Sequence, residues 1–157
     1  VEARALTSYR HTQIGTTILA GVGVAVVLLG MVGYLAKTLH WMLPAMALLA
    51  LIAALFGSLT TEIVDRELRC RFGIGLIRKR FPLGRVVRIE TVRNAWHWGW
   101  GIRYTPHGWL FNVSGLSAVE LSMTDGKCVR IGTDRPEELA RALRQAIETT
   151  PHSPARP

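Results

Sequence analysis

Two long apolar runs constrain this chain more than any other feature. Residues 14–36 carry no charged side chain, residues 41–61 carry none either, and only four residues separate them. Roughly 20 apolar residues, rising about 1.5 Å each, cross the hydrocarbon core of a bilayer. A four-residue link leaves the second helix no course except back along the first, so the runs predict a transmembrane helical hairpin over 14–61. A water-soluble alternative would have to bury both helices, and a 157-residue chain has too little left over to surround them. A cleaved signal peptide fits poorly. Arg4 and Arg10 resemble its charged start, but the first run exceeds an apolar core of about 7–15 residues, and a second follows at once. The chain opens on Val1, so an upstream or alternative start is expected.

The bases orient the hairpin. Arg4 and Arg10 precede it, Lys37 alone lies in its link, and Arg66, Arg69, Arg71, Arg78, Lys79 and Arg80 follow it. Cytoplasmic flanks carry the excess of Lys and Arg, which places both ends inside and the link outside. His40 and Trp41 fall at the interface, and Pro44 in the first turn of the second helix, where its missing N–H costs little. The first run holds Gly15, Gly21, Gly23, Gly30 and Gly33, of which Gly23 and Gly30, seven apart, fall near one face with Gly33 close by. Small residues let helices approach in lipid, so this face is expected to pack against the second helix, with self-association the other reading. Neither run contains an acid, an Asn or an interior base, which argues against a pore or pump.

From Glu62 onward the chain carries sixteen bases and ten acids and turns water-soluble. The stretch E-L-R-C-R-F at 67–72 alternates apolar and charged residues, the period of a half-buried strand. Further strands are predicted over 59–64, 76–81, 86–92, 101–104, 109–113, 118–123 and 128–131, with Asp125-Gly126 as a hairpin turn. The period then lengthens. Leu139, Ala142, Leu143, Ala146 and Ile147 mark one helical stripe, with Asp134 and Glu137 spaced as a capping box and Pro136 in the first turn. The expected divisions are an N-terminal cytoplasmic flank (1–13), the hairpin (14–61), a folded domain (62–149) and a disordered tail (150–157). The fold class is α+β: a membrane hairpin followed by a strongly bent antiparallel sheet that one C-terminal helix closes.

Two constellations stand out as binding surfaces. Residues 66–88 carry a net charge of +7, just past a membrane span. Within them Arg69, Arg71, Arg78, Lys79, Arg80 and Arg85 are candidates for contact with anionic lipid headgroups, which attract each nearby base by about 1 kcal/mol. The membrane accounts for this charge, so no nucleic-acid partner is expected. The second constellation is Trp96, Trp98 and Trp100. In an extended segment they would share one side, a candidate partner-binding patch, with at least one Trp of the region expected in the core. His97 and His107 lack a neighbouring acid or Cys and read as surface residues, so no metal site is expected. Cys70 reads as core and Cys128 as more exposed, both reduced. No phosphate loop, nucleophile elbow or metal-binding helix motif occurs, and neither a cofactor nor a catalytic residue is expected.

The back half, with F-G-I-G at 72–75, G-W-G-I-R-Y at 99–104, V-S-G at 113–115, A-V-E-L at 118–121 and I-G-T-D-R-P-E-E-L at 131–139, resembles the bacterial pleckstrin-homology-like domain. That domain also follows paired membrane helices in small bacterial membrane proteins. The resemblance implies a PH-like β-barrel with a C-terminal helix, used for docking to proteins or lipids, and it transfers no active site. The expectation is therefore an inner-membrane protein with a cytoplasmic, non-catalytic docking domain: an adaptor or assembly factor for an unidentified protein partner or for the bilayer. The alternative is an accessory subunit of a membrane enzyme or transporter, recognised through its helices.

Overall fold

The computed structural model describes residues 7–148. In chain order the first elements are β1 (Thr7–Ile14), α1 (Thr16–Leu35), α2 (Leu39–Phe56), β2 (Ser58–Val64), β3 (Glu67–Phe72) and β4 (Ile77–Pro82). Then follow β5 (Val86–Arg93), β6 (Gly101–Thr105), β7 (Gly108–Asn112), β8 (Ser117–Met123), β9 (Cys128–Gly132) and α3 (Pro136–Glu148). The tail expected over 150–157 lies outside the described residues.

The apolar runs form α1 and α2, of 20 and 18 residues, each long and apolar enough to cross a membrane. They are apolar on every side, so neither has a polar face to show to water. Gly33 is the single buried residue of α1, and α2 has none, so these helices are not the core of the sheet domain. Gly33 lets the hairpin turn close: a Cβ there would sit 3.0 Å from the Leu39 Cα. The other glycines behave differently from expectation. A Cβ on Gly21, Gly23 or Gly30 would meet nothing within 4 Å, so none of these residues makes a close contact with α2.

The N-terminal flank is a strand. β1 pairs with β2 in antiparallel register, Ile14 opposite Ser58 and Arg10 opposite Glu62. The helical hairpin is thus inserted between two neighbouring strands of one sheet. Single glycines make both joints, and the Gly15 N–H donates to the Gly57 carbonyl at 2.8 Å, tying the base of the hairpin together. The sheet domain therefore takes chain from both sides of the hairpin: β1 and residues 58–61 belong to it together with the chain from Glu62 onward.

The strands form two sheets. One has the order β1-β2-β3-β4, the other β5-β8-β9-β7-β6. Their inner faces supply the core: Leu59, Ile63, Leu68 and Phe72 from the first, Phe111, Val119, Leu121 and Ile131 from the second. The Phe111 ring joins them, with centroids 6.2 Å from Phe72 and 5.8 Å from Phe81. α3 packs along β5 and β8 on one side and β1 and β2 on the other, and buries Leu139 and Leu143 in the opening between the sheets. The stripe read from the sequence is the one that faces the core.

Two expectations need correction. The sheets do not close into a barrel, since consecutive strands β4 and β5 belong to different sheets. Nor is the second sheet a simple antiparallel meander. β9 inserts between β8 and β7 and runs parallel to β7, with Phe111 beside Ile131. Local alternation is identical in parallel and antiparallel neighbours, so the sequence carried no sign of this.

Candidate functional site

Alternation along β3 settles the first candidate surface. Leu68, Cys70 and Phe72 are fully buried, so Arg69 and Arg71 point outward. Directly opposed residues of an antiparallel pair share a face, and β4 sets Arg80 against Arg69 and Arg78 against Arg71. Four of the predicted residues therefore converge on one outer face. Lys79 lies opposite Cys70 on the other side of β4 and is exposed, an inward-directed charge of the kind that keeps an edge strand from pairing further. Arg85 is separate. It lies in the short 3-10 turn after β4, at the end of the domain away from α1 and α2, where its carbonyl accepts the Thr124 N–H.

Like charges opposed across a sheet destabilise it. Arg69 is compensated by Glu67 at 3.1 Å and Asp65 at 3.8 Å. Arg78 donates to the Gly75 carbonyl at 2.6 Å. Arg71 and Arg80 have no carboxylate partner among the described residues. The four arginines, with Glu62, border a shallow depression of about 180 Å³.

At one end of this face lies a feature the sequence reading passed over. The β3–β4 turn, 73–76, leans on the last turn of α2: the Gly73 N–H donates to Ser58 and the Ile74 N–H to Ala54, at 2.8 and 3.1 Å. Ile74 and Leu76 are nonetheless 65% and 71% exposed. The signal was visible as two apolar residues set between glycines, but a Gly-punctuated turn reads as punctuation rather than as a surface.

The tryptophans do not share a side. Trp96–Trp98 forms a 3-10 turn that ends at Gly99 with φ +69°, so strand alternation does not apply. Trp96 is 75% exposed. Trp98 is half-buried, with the Arg130 guanidinium 5.2 Å from its ring centroid and the His107 ring at 5.4 Å. Trp100 is half-buried and donates its indole N–H to the Gly115 carbonyl at 3.2 Å. With Ile102 it borders a groove of about 490 Å³ against Ile18 of α1 and Phe56 of α2. One ring faces solvent, one covers an arginine, and one sits at the base of the hairpin.

The arginine under Trp98 was not foreseen as buried. Arg130 is 7% exposed, donates to Glu120 at 2.5 Å and reaches the Asn94 side-chain oxygen at 3.3 Å. Both cysteines are free. Burial pushes the Cys70 thiol up to about 12, outweighing a hydrogen bond with Thr61, and this suppresses the thiolate. Among the described residues no group of three or more His, Cys, Asp or Glu side chains could hold a metal ion. Ahead of α3, the Thr133 hydroxyl accepts the Arg135 N–H, while the Asp134 carboxylate meets His11 of β1 at 2.6 Å.

No known protein family, curated protein or solved structure matches this chain.

Proposed function

We propose that this protein is a membrane-anchored, non-catalytic adaptor or assembly factor. α1 and α2 hold it in the bacterial inner membrane, and the two-sheet domain stands on the cytoplasmic face as a docking surface for protein or anionic headgroups. The observation that carries this reading is the junction. Both ends of the apolar hairpin run into neighbouring strands through single glycines, so no flexible tether separates the helices from the sheet. The side-by-side strands also require both flanks to lie on one side of the bilayer. The excess of bases on those flanks supports the cytoplasmic side. Trp100, at the base of the hairpin, has the setting that amphipathic rings take at a membrane interface. The resemblance to bacterial PH-like domains supports a docking role, although the two unjoined sheets and the parallel β7/β9 pair depart from that barrel.

The accessory-subunit reading is favoured by one observation: Gly23 and Gly30, seven residues apart and so on one face of α1, border open space and leave a smooth strip there. Alkaline carbonate extraction, followed by cross-linking in membranes and affinity purification, tests both. The chain should remain in the membrane pellet; release into the supernatant removes both readings. Loss of a co-purifying protein on Trp96→Ala supports the adaptor. Loss on Gly23→Leu with Gly30→Leu, with Trp96→Ala silent, supports the accessory subunit.

A further inference from the structure

The face of β3 and β4 combines two features that soluble surfaces avoid. Two arginine pairs are set directly across from one another, and Arg71 and Arg80 have no carboxylate partner among the described residues. Beside them Ile74 and Leu76 stand in the open. The position of the turn accounts for both. Ile74 is hydrogen-bonded to Ala54, inside the final turn of α2, so the turn lies at the level where that helix ends. Gly73 makes this approach possible. Its φ is +46°, and a Cβ there would overlap the carbonyl oxygens of Ala54 and Leu55.

Moving away from the turn, the Arg71/Arg78 pair comes first. The Arg69/Arg80 pair follows two residues later, about 7 Å further along the strands. An apolar tip with stacked cations behind it matches a bilayer boundary, where acyl chains give way to phosphates. Guanidinium groups are suited to this, since each can present two parallel N–H donors to a phosphate.

We propose that the β3–β4 face is a headgroup site for anionic phospholipid of the bilayer that holds α1 and α2, with Arg71, Arg78 and Arg80 taking the phosphate and Ile74 and Leu76 entering the acyl boundary. The proposal rests on the membrane reading above and adds to it a ligand class, a site and a fixed depth. The bound lipid supplies the negative charge that Arg71 and Arg80 lack among the described residues.

The test uses the full chain in nanodiscs of phosphatidylcholine alone or mixed with phosphatidylglycerol, and follows amide hydrogen exchange over 73–82. Exchange there should slow by at least about tenfold in the anionic discs, since three bases near the surface contribute about 1 kcal/mol each. High salt should abolish the effect, because an exposed charge is screened beyond about 8 Å already at physiological ionic strength. Arg71→Gln with Arg78→Gln and Arg80→Gln should abolish it too, and these neutral changes relieve repulsion on an outward face. Ile74→Ser with Leu76→Ser should weaken it while leaving the arginines in place. Equal exchange in both discs, with the protein embedded, overturns the headgroup site and leaves the anchor standing. Failure to embed in either disc overturns the membrane reading itself. Equal protection in neutral discs by inorganic phosphate or by an acidic peptide overturns the bilayer as the source of the ligand.

Discussion

Arg130 lies 7% exposed beneath the Trp98 ring, with Glu120 and Asn94 as its polar partners. Its position was half legible. Strand parity set it opposite Val129 and Ile131, on the outer face of the sheet, and that is where it is. The outer face is not solvent here, because the loop after β5 crosses it, and no local pattern announces a covering loop. A buried pair that loses one member leaves an uncompensated charge, so Glu120→Ala should cost about 3–5 kcal/mol in denaturant unfolding of the detergent-solubilised chain. Trp98→Ala should cost about 2 kcal/mol, the scale of a desolvated cation–π contact, whereas Trp96→Ala should stay within about 0.5 kcal/mol. Cys70 gives a pH signature. The unfolded thiol ionises near its ordinary value of 9.0, while the folded one stays protonated up to about 12. The folded state therefore retains the proton across that interval, and stability falls as pH rises from about 9 towards 12. Cys70→Ala should flatten that part of the pH–stability profile. Iodoacetamide at neutral pH should leave Cys70 unmodified in the native protein.

At the scale of elements, legibility followed hydrophobic contrast. β3 alternates Leu, Cys and Phe with charged residues and was read to its ends, and α3 buries the stripe that its spacing marks. β1 was missed for a physical reason. Its inward-facing residues are Tyr9, His11 and Gln13, and the last two use polar tips: His11 meets Asp134, and the Gln13 amide donates to the Ser114 carbonyl. A strand with a polar inner row has no apolar period to detect. The same blindness split the basic run, whose members at β3 and β4 converge while Arg85 lies at the far end of the domain. α3 yields a direct test. Leu143 is fully buried among core residues of both sheets, and Leu143→Asp would place a carboxylate there without a partner. The full chain carrying it should lose several kcal/mol in denaturant unfolding. A fragment starting at Glu62 is the wrong vehicle, since it lacks β1 and half of β2.

For the whole molecule, pairing of β1 with β2 places both flanks of the hairpin on one side of any bilayer that α1 and α2 cross. A reporter active only outside the cytoplasm should therefore be active when fused at Lys37 and silent when fused after α3, in line with the base count. Activity after α3 would reverse the proposed orientation. The same pairing also bears on how the chain is made. Ile14 and Ser58 meet across 43 intervening residues, nearly all of them helical hairpin. During synthesis β1 leaves the ribosome first and must wait, unpaired, until both helices have been threaded and β2 emerges. If α1 enters the bilayer and α2 does not, the two strands are stranded in different compartments, and the sheet stays one strand short with the edge of β2 bare. Such an edge invites aggregation or proteolysis. On the membrane reading proposed above, the seam of Thr7–Ile14 against Ser58–Val64 closes only when both flanks of the hairpin lie on the same side of the bilayer.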